Sequence, residues 1–140
     1  MVALAFAEMA NDYFGTQVPF LDHLGILHEK IGDGQVRVSL ELRPEHLNSF
    51  AVAHGGVIMS FLDVAMVMSA RVKLNHQGGI MTIDMSTNFI RPAKQKVVVE
   101  GNILQSGKSI QFCEANAYDE NKQLIAKAIG SFKLLQRETK

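Results

Sequence analysis

One segment of the sequence is apolar on nearly every side of a helix, and it limits what the chain can fold into. The segment runs from His54 to about Lys73, and its apolar residues are Val57, Ile58, Met59, Phe61, Leu62, Val64, Ala65, Met66, Val67, Met68 and Ala70. A helix that is apolar all round is normally buried in a core. Its longest apolar stretch, Val57 to Ala70, is shorter than a membrane span and contains Asp63. We therefore predict a long central helix enclosed by the rest of the chain.

The sequence after this helix is typical of antiparallel strands joined by short turns. Turn-forming residues recur about every dozen positions, which favours a meander. The predicted strands are Ile80–Ile90, Lys96–Gln105, Ser109–Tyr118 and Gln123–Leu135. A sheet must cover its apolar face, and the one central helix can do this. The pattern predicts an α+β architecture in which the sheet wraps around the helix, with a face or an edge left for a partner subunit.

The sequence before the central helix is read in four pieces. Residues 3–14 predict a short helix with Leu4, Met9 and Tyr13 among its buried positions, and Pro19–Lys30 predicts an irregular strand. The segment 32–34 is a turn, and residues 36–42 then alternate between apolar and polar, as in a strand with one exposed face. Arg43–Ala53 has no clear period and contains Pro44, so a loop is expected.

Composition restricts the class of protein. The 140 residues suit one domain, residues 1–140. Lys+Arg and Asp+Glu are both 14, and this balance gives no support for a nucleic-acid partner. Cys113 is the only cysteine, so an internal disulfide is excluded and a reducing compartment is expected. The start lacks a basic region before its apolar residues, so we expect a cytoplasmic protein that does not associate with membranes.

Asp63 is the most informative single residue. It is the only ionisable side chain between His54 and Arg71, and its neighbours in the sequence are apolar. An ionised carboxylate is unfavourable in dry surroundings, where its pKa rises towards the range that suits a general base. A carboxylate can also attack as a nucleophile. The alternative is that Asp63 reaches solvent on a narrow polar stripe or makes one structural hydrogen bond.

The tripeptide His54-Gly55-Gly56 begins the predicted helix. Two glycines leave the first backbone N–H groups of a helix accessible to a ligand oxygen. Together with the helix dipole, these donors can stabilise developing negative charge. The alternative is that the glycines only ease a tight turn from loop to helix. No G-x-S-x-G motif occurs, which makes Ser60 a poor nucleophile.

Asn48, six residues before His54, completes a pattern with Asp63, nine residues after His54. A loop Asn often only completes a turn. The combination, however, resembles the motif of hotdog-fold acyl-CoA thioesterases of the phenylacetate-degradation (PaaI-like) type, in the thioesterase superfamily. The order of helices and strands is similar to that family over nearly the whole chain, as are residues 82–85 and 88–93. The resemblance implies the hotdog fold, with an antiparallel sheet around one long apolar helix.

The resemblance also implies a role for each residue of the motif. The Gly55 N–H would polarise the thioester carbonyl, and Asn48 would hold that carbonyl or the attacking water. His54 would brace the loop rather than act as a base. Asp63 would be general base or nucleophile, facing Gly55 and Asn48 of another subunit. Thr82 matches a position where relatives carry a hydroxyl that steadies the water or the acid. The site would then lie at the interface of a homodimer, which is expected to pair into a dimer of dimers.

The phosphates of coenzyme A need cations. Arg91, Lys94, Lys96 and Lys108 lie in or beside turns where relatives contact the nucleotide, although each of them could equally be a solvated turn residue. No cofactor is expected, since CoA is part of the substrate. No metal is expected either, because His23, His28, His46 and His76 lack metal-ligand spacing.

Three functions follow from these observations. The first is hydrolysis of an acyl- or aryl-CoA thioester to the free acid and CoA. The second is a non-catalytic acyl-CoA-binding or regulatory hotdog protein, which could dispense with Asp63. The third is a hotdog dehydratase, which needs a catalytic His and an acid in a different arrangement. The spacing from His54 to Asp63 favours the thioesterase.

Overall fold

A six-stranded antiparallel sheet wraps around one long helix in the computed structural model, which describes residues 13–136. The elements in chain order are α1 (Pro19–Leu24), β1 (Leu27–Gly32), β2 (Gln35–Glu41), a 3₁₀ turn (Pro44–His46), α2 (Gly55–Leu74), β3 (Ile80–Phe89), β4 (Lys96–Ser106), β5 (Ile110–Tyr118) and β6 (Leu124–Leu134). This confirms the α+β class and the hotdog arrangement expected from the sequence. The predicted helix over residues 3–14 lies outside the described residues except for its last two positions, of which Tyr13 is buried.

Helix α2 is the centre of the core, as its all-round apolar pattern predicts. His54 is its N-cap, and Asn75 ends it in the left-handed conformation that favours a helix stop. Its buried apolar residues are Ile58, Phe61, Leu62, Val64, Ala65, Met66, Met68 and Ala70. They pack against the inward-facing residues of the sheet, including Val97, Val99, Cys113 and Phe132. Within residues 13–136, no helix is both long and apolar enough to cross a membrane.

The strand order places β3 at one edge of the sheet and β1 at the other, in the sequence β1-β2-β4-β5-β6-β3. β3 pairs with β6 on one side, with Thr82 opposite Phe132, so its other side carries unpaired backbone groups within the described chain. At the middle of the sheet β4 approaches α2 closely, and the position next to Ala65 is Gly101. The four strands predicted after the helix are confirmed with end points that differ by a residue or two.

The prediction of an irregular strand over Pro19–Lys30 is wrong in its first half. Pro19 begins a short helix, and Gly25 ends it with a φ of 79°. The helix buries Leu21 and Leu24, which lie three positions apart on one face. The chain becomes extended only at Leu27.

Candidate active site

The start of α2 is held by hydrogen bonds of His54. The His54 backbone N–H donates to the carbonyl oxygen of His46 at 2.9 Å, and His54 Nδ1 accepts the backbone N–H of Gly56 at 2.8 Å. Because Nδ1 accepts a hydrogen bond, it carries no proton, and in the neutral ring the proton is on Nε2. The Nδ1 lone pair is used by Gly56 and Nε2 has none free, so neither nitrogen can act as a base. His54 is thus a cap, in line with the bracing role inferred from the resemblance.

The capping bond leaves Gly55 as the accessible donor. Gly55 is the first residue of α2, so its N–H has no acceptor within the helix. The neighbouring Gly56 N–H is already used by His54. The ring of Phe89 lies beside Gly55, where an added methyl group would be 3.6 Å from it. The N–H of Gly55, at the positive end of the helix dipole, is therefore available to a ligand oxygen.

Asn48 is oriented by the loop that precedes the helix. Its Oδ1 accepts the backbone N–H groups of Phe50 at 2.9 Å and Val52 at 3.3 Å. These two bonds use the oxygen and leave the amide nitrogen as the free donor within residues 13–136. Asn48 can therefore donate to a carbonyl or water oxygen, and at the same time it completes a turn.

Asn48 and Gly55 line a single pocket together with Arg91. The pocket has a volume of about 370 Å³ and lies between the loop before α2 and the turn after β3. The remaining lining residues are mostly apolar: Ala53, Ile58, Phe89, Ile90, Pro92, Ala93 and Ile125. An apolar pocket with a few convergent polar groups is the usual form of a small-molecule site.

Asp63 lies two turns further along α2 and contacts β3. The hydroxyl of Thr82 donates to its Oδ1 at 2.7 Å. Burial raises the pKa of Asp63 above its ordinary value, and the Thr82 hydrogen bond opposes this rise. In the described part of the chain the carboxylate forms no ion pair. Asp63 is thus half-buried, with one hydroxyl partner and a pKa that favours proton transfer over permanent charge.

The motif residues do not form one site within a single chain. Gly55 and Asp63 are eight residues apart on α2, or about 12 Å along the helix axis. Asp63 is also absent from the lining of the pocket that contains Gly55. A donor and a base that act on one carbonyl must both lie within about 3 Å of the reacting atoms. The two groups of one chain therefore cannot serve the same substrate.

The four predicted phosphate-binding cations are spread over the molecule. Arg91 lines the pocket and donates from Nη1 to the carbonyl oxygen of Leu124, and Lys94 is exposed in the same turn. Lys96 lies 3.9 Å from Glu41, on the outer surface of the sheet. Lys108 follows the far end of β4. The length of this strand, about 33 Å, separates Lys108 from the turn that contains Arg91 and Lys94. Of the four cations, Arg91 is the one that lines the pocket containing Gly55.

Sequence reasoning missed two residues that shape the site. His46 is buried, its carbonyl oxygen accepts from His54, and its Nδ1 accepts the Arg43 N–H. Burial, together with the nearby charge of Arg43, lowers the pKa of His46, which keeps the ring neutral. Phe89 was read as part of a strand and of the segment 88–93 that resembles the family, but no role in the site was assigned to it. His46 lies in the segment Arg43–Ala53, which has no clear period and so gives no signal for its role.

The antiparallel sheet around one long helix is the hotdog fold of thioesterases. The sequence profile of the thioesterase superfamily matches residues 50–126, which contain α2 and β3 to β5. The chain belongs to the thioesterase superfamily, and that membership indicates hydrolase activity.

Individual relatives agree with this assignment. A protein of Saccharolobus solfataricus named "Putative esterase" is 30% identical over 124 residues, covering 88% of this chain and 81% of the relative. A structure from Mycobacterium tuberculosis with the same description is 25% identical, with a TM-score of 0.79 over 87% of this chain and all of that chain. The E. coli PaaI protein from the phenylacetic acid degradation operon has the same fold at 18% identity. Its TM-score is also 0.79, over 96% of this chain and 91% of that one.

Proposed function

We propose that the protein is an acyl-CoA thioesterase that hydrolyses an acyl- or aryl-CoA thioester to the free acid and CoA. The observation that carries the proposal is the presence, on one face of α2, of a Gly55 N–H that has no acceptor within residues 13–136 and a half-buried carboxylate at Asp63. The N–H suits a developing oxyanion, and the carboxylate suits activation of water. Family membership makes a thioester the first substrate to test.

The proposed enzyme is a homodimer in which each site combines two chains. Because about 12 Å separates Gly55 from Asp63 in one chain, the acid at each site is Asp63 of the partner subunit. Strand β3 supports this arrangement, since in the described part of the chain it is an edge strand that runs past both residues: Thr82 bonds to Asp63 and Phe89 lies beside Gly55. Its apolar residues Met81, Ile83 and Phe89 are each more than half exposed. Pairing of two β3 edges would cover them. Dimers of this kind could associate further into a dimer of dimers.

The proposed reaction begins with the thioester carbonyl oxygen accepting the Gly55 N–H, assisted by the Asn48 amide. Asp63 of the partner subunit takes a proton from water, and the water oxygen attacks the carbonyl carbon. The resulting oxyanion is stabilised at Gly55. When the intermediate collapses, the C–S bond breaks and the proton passes from Asp63 to the leaving sulfur, which gives the acid and CoA. In the competing route, the Asp63 carboxylate attacks the carbonyl carbon, the C–S bond breaks with release of the CoA thiolate, and water then cleaves the resulting mixed anhydride into the acid and the Asp63 carboxylate.

Isotope labelling distinguishes the general base from nucleophilic attack in which water cleaves the anhydride at the Asp63 carbonyl. In a single turnover in ¹⁸O-labelled water, a general base leaves Asp63 unlabelled and puts ¹⁸O into the product acid. Attack by the carboxylate followed by hydrolysis at its own carbonyl puts ¹⁸O into Asp63. Mass spectrometry of the peptide that contains Asp63 is the measurement.

The CoA portion of the substrate is proposed to leave the site beside Arg91. Arg91 lines the same pocket as Gly55, and Lys94 lies three residues further along the turn. The diphosphate would be bound by these two cations. Lys96 lines a different pocket, on the outer surface of the sheet, and Lys108 follows the far end of β4, so either cation would contribute from the partner subunit.

The carboxylate is tested with Asp63→Asn, which keeps the shape and an acceptor for Thr82. We expect thiol release from acyl-CoA substrates to fall by about 10²–10⁴. Wild-type turnover in this variant would contradict the mechanism. Tight binding of acyl-CoA by the wild-type protein without release of thiol would instead favour the non-catalytic binder, and hydration of an enoyl-CoA would favour a dehydratase.

The oxyanion donor is tested with Gly55→Pro, which removes one N–H without breaking the helix. Proline is well tolerated at the first helical position, and His54 already has the extended conformation (φ −62°, ψ 136°) that precedes proline. We expect a loss of about 10²–10³ in kcat. The matched control, Gly55→Ala, keeps the N–H, has room beside Phe89 and should retain far more activity. Equal activities of the two variants would remove Gly55 from the mechanism.

A further inference from the structure

Met59 is an exposed apolar side chain at the centre of the helix face that carries Gly55 and Asp63. The three residues are spaced four apart, so they lie one above another on one side of α2. Met59 is 38% exposed, although its neighbours Ile58 and Phe61 are buried. An apolar side chain therefore occupies the space between the proposed oxyanion donor and the carboxylate.

Symmetry places Met59 at the centre of the dimer. This step rests on the proposed function, in which each Gly55 works with Asp63 of the partner subunit. In a two-fold interface, if residue i contacts residue j, then j contacts i. The axis then crosses α2 midway between positions 55 and 63, which is position 59. Met59 consequently faces Met59 of the partner subunit.

We propose that the two Met59 side chains form the wall between the paired sites and select the acyl group. The pocket at Gly55 has its cation, Arg91, on one side, which is where the CoA portion is expected. The acyl group then extends from the carbonyl in the other direction, along α2. Met59 lies one helical turn from Gly55, about 6 Å, so the first few carbon atoms of the acyl group contact it.

The chemistry of this wall specifies the class of acyl group. Methionine is unbranched, flexible and apolar, so it adapts to alkyl chains and to aromatic rings. The charged group nearest to it on this face of α2 is the Asp63 carboxylate, which repels a second carboxylate. The site therefore accepts uncharged apolar acyl groups and discriminates against acyl groups that end in a carboxylate, such as succinyl.

Substitution of Met59 tests the selection. We expect Met59→Phe to lower kcat/KM for phenylacetyl-CoA relative to acetyl-CoA by about tenfold or more, and Met59→Ala to change the ratio in the opposite direction. Leu74→Ala is the matched control, since Leu74 is similarly exposed at the far end of the same helix. Succinyl-CoA should be the poorest substrate of the wild-type protein.

The outcomes separate the two proposals. If the wild-type protein releases thiol but its substrate ratios stay constant in both Met59 variants, the selective wall is wrong and the thioesterase proposal stands. A wild-type protein that releases thiol from none of these substrates would overturn both.

Cross-linking tests the position of Met59 without using activity. Met59→Cys adds one accessible thiol, because Cys113 is the only native cysteine and is buried. Burial also raises the pKa of Cys113 to about 11, so this thiol is unreactive near neutral pH. A short bis-maleimide should link two Met59→Cys chains, visible on a denaturing gel. It should link neither the wild-type chains nor Leu74→Cys chains, since Leu74 lies about 22 Å along the helix from position 59. A missing dimer band for Met59→Cys would overturn the placement at the axis.

Discussion

The hydroxyl of Thr82 donates a 2.7 Å hydrogen bond to Oδ1 of Asp63, and this bond joins the edge strand β3 to the middle of α2. Burial raises the pKa of Asp63, whereas the hydrogen bond stabilises the ionised form and opposes that rise. The basicity of the proposed catalytic group thus depends on two residues, in two different elements, that lie 19 positions apart in the sequence.

Removal of the Thr82 hydroxyl should change the pH dependence of hydrolysis. Without the hydrogen bond, burial acts unopposed and the pKa of Asp63 rises further. Since the base must be ionised, the acidic limb of the kcat/KM profile should move to higher pH in Thr82→Val. Thr82→Ser keeps a hydroxyl and should restore the wild-type profile. Superimposable profiles for all three proteins would show that the bond has no influence on the base.

The Asp63→Asn variant should be more stable than the wild-type protein at neutral pH. A pKa that is raised in the folded state means that the folded chain holds its proton more tightly than the unfolded chain. The free energy of unfolding of the wild-type protein therefore falls as pH rises from the ordinary carboxylate value through the raised one. The melting temperature of Asp63→Asn should exceed that of the wild-type protein by a few degrees at pH 7.

This stability difference should shrink as the pH is lowered towards 4, because the wild-type carboxylate then becomes neutral as well. Differential scanning calorimetry over this pH range is the measurement. Glu120→Gln, at an exposed carboxylate in the turn between β5 and β6, is the control and should change the melting temperature little. A less stable Asp63→Asn variant would mean that the carboxylate stabilises the fold.

Mixed dimers should recover activity from two inactive chains. Asp63→Asn and Gly55→Pro each disable both sites of their own homodimer. In a heterodimer of the two, one site has both substitutions and the other has neither. With random mixing, half of the dimers are heterodimers with one intact site each, so activity should return to about a quarter of the wild-type level. If the mixture stays inactive under conditions where subunits exchange, the shared site is disproved.

Gly101→Ala should destabilise the fold without touching the site. A methyl group there would overlap the carbonyl oxygen of Ala65 and lie 2.6 Å from its carbonyl carbon. The backbone of α2 cannot move aside as a flexible side chain can, so we expect a loss of about 1–3 kcal/mol in the free energy of unfolding. Urea denaturation measures it. Gly79→Ala is the control, since the nearest contact there is 3.4 Å, to the Leu135 side chain.

Much of the fold could be predicted because its signals are local. The apolar pattern and the two glycines predicted α2, and the turn residues predicted the four strands after it. The strand predicted over Pro19–Lys30 was wrong because the prediction gave more weight to the apolar residues of this segment than to its local helix signals. Proline at the first position and Gly25 just after the end are helix signals that this segment does carry.

The candidate site was less accessible to sequence reasoning, because its geometry depends on long-range packing. The spacing of the motif identified the residues but did not show that His54 caps Gly56 and leaves Gly55 free. A lone glycine within a strand can mark a close backbone approach, yet nothing near Gly101 in the sequence names Ala65 as its neighbour. The four cations were assigned to the CoA phosphates from their places in or beside turns and from the resemblance, whereas the length of β4 separates Lys108 from Arg91.

The open edge of β3 leads us to expect that the behaviour of this protein depends on its concentration. Within residues 13–136, a lone chain presents a ten-residue strand with unpaired backbone groups along one side and exposed apolar residues such as Ile83. Such an edge is also a template for irregular association of newly made or diluted chains. Correct pairing of two chains would then prevent this association and also complete the active site. A chain without a partner would be prone to aggregate and would be inactive.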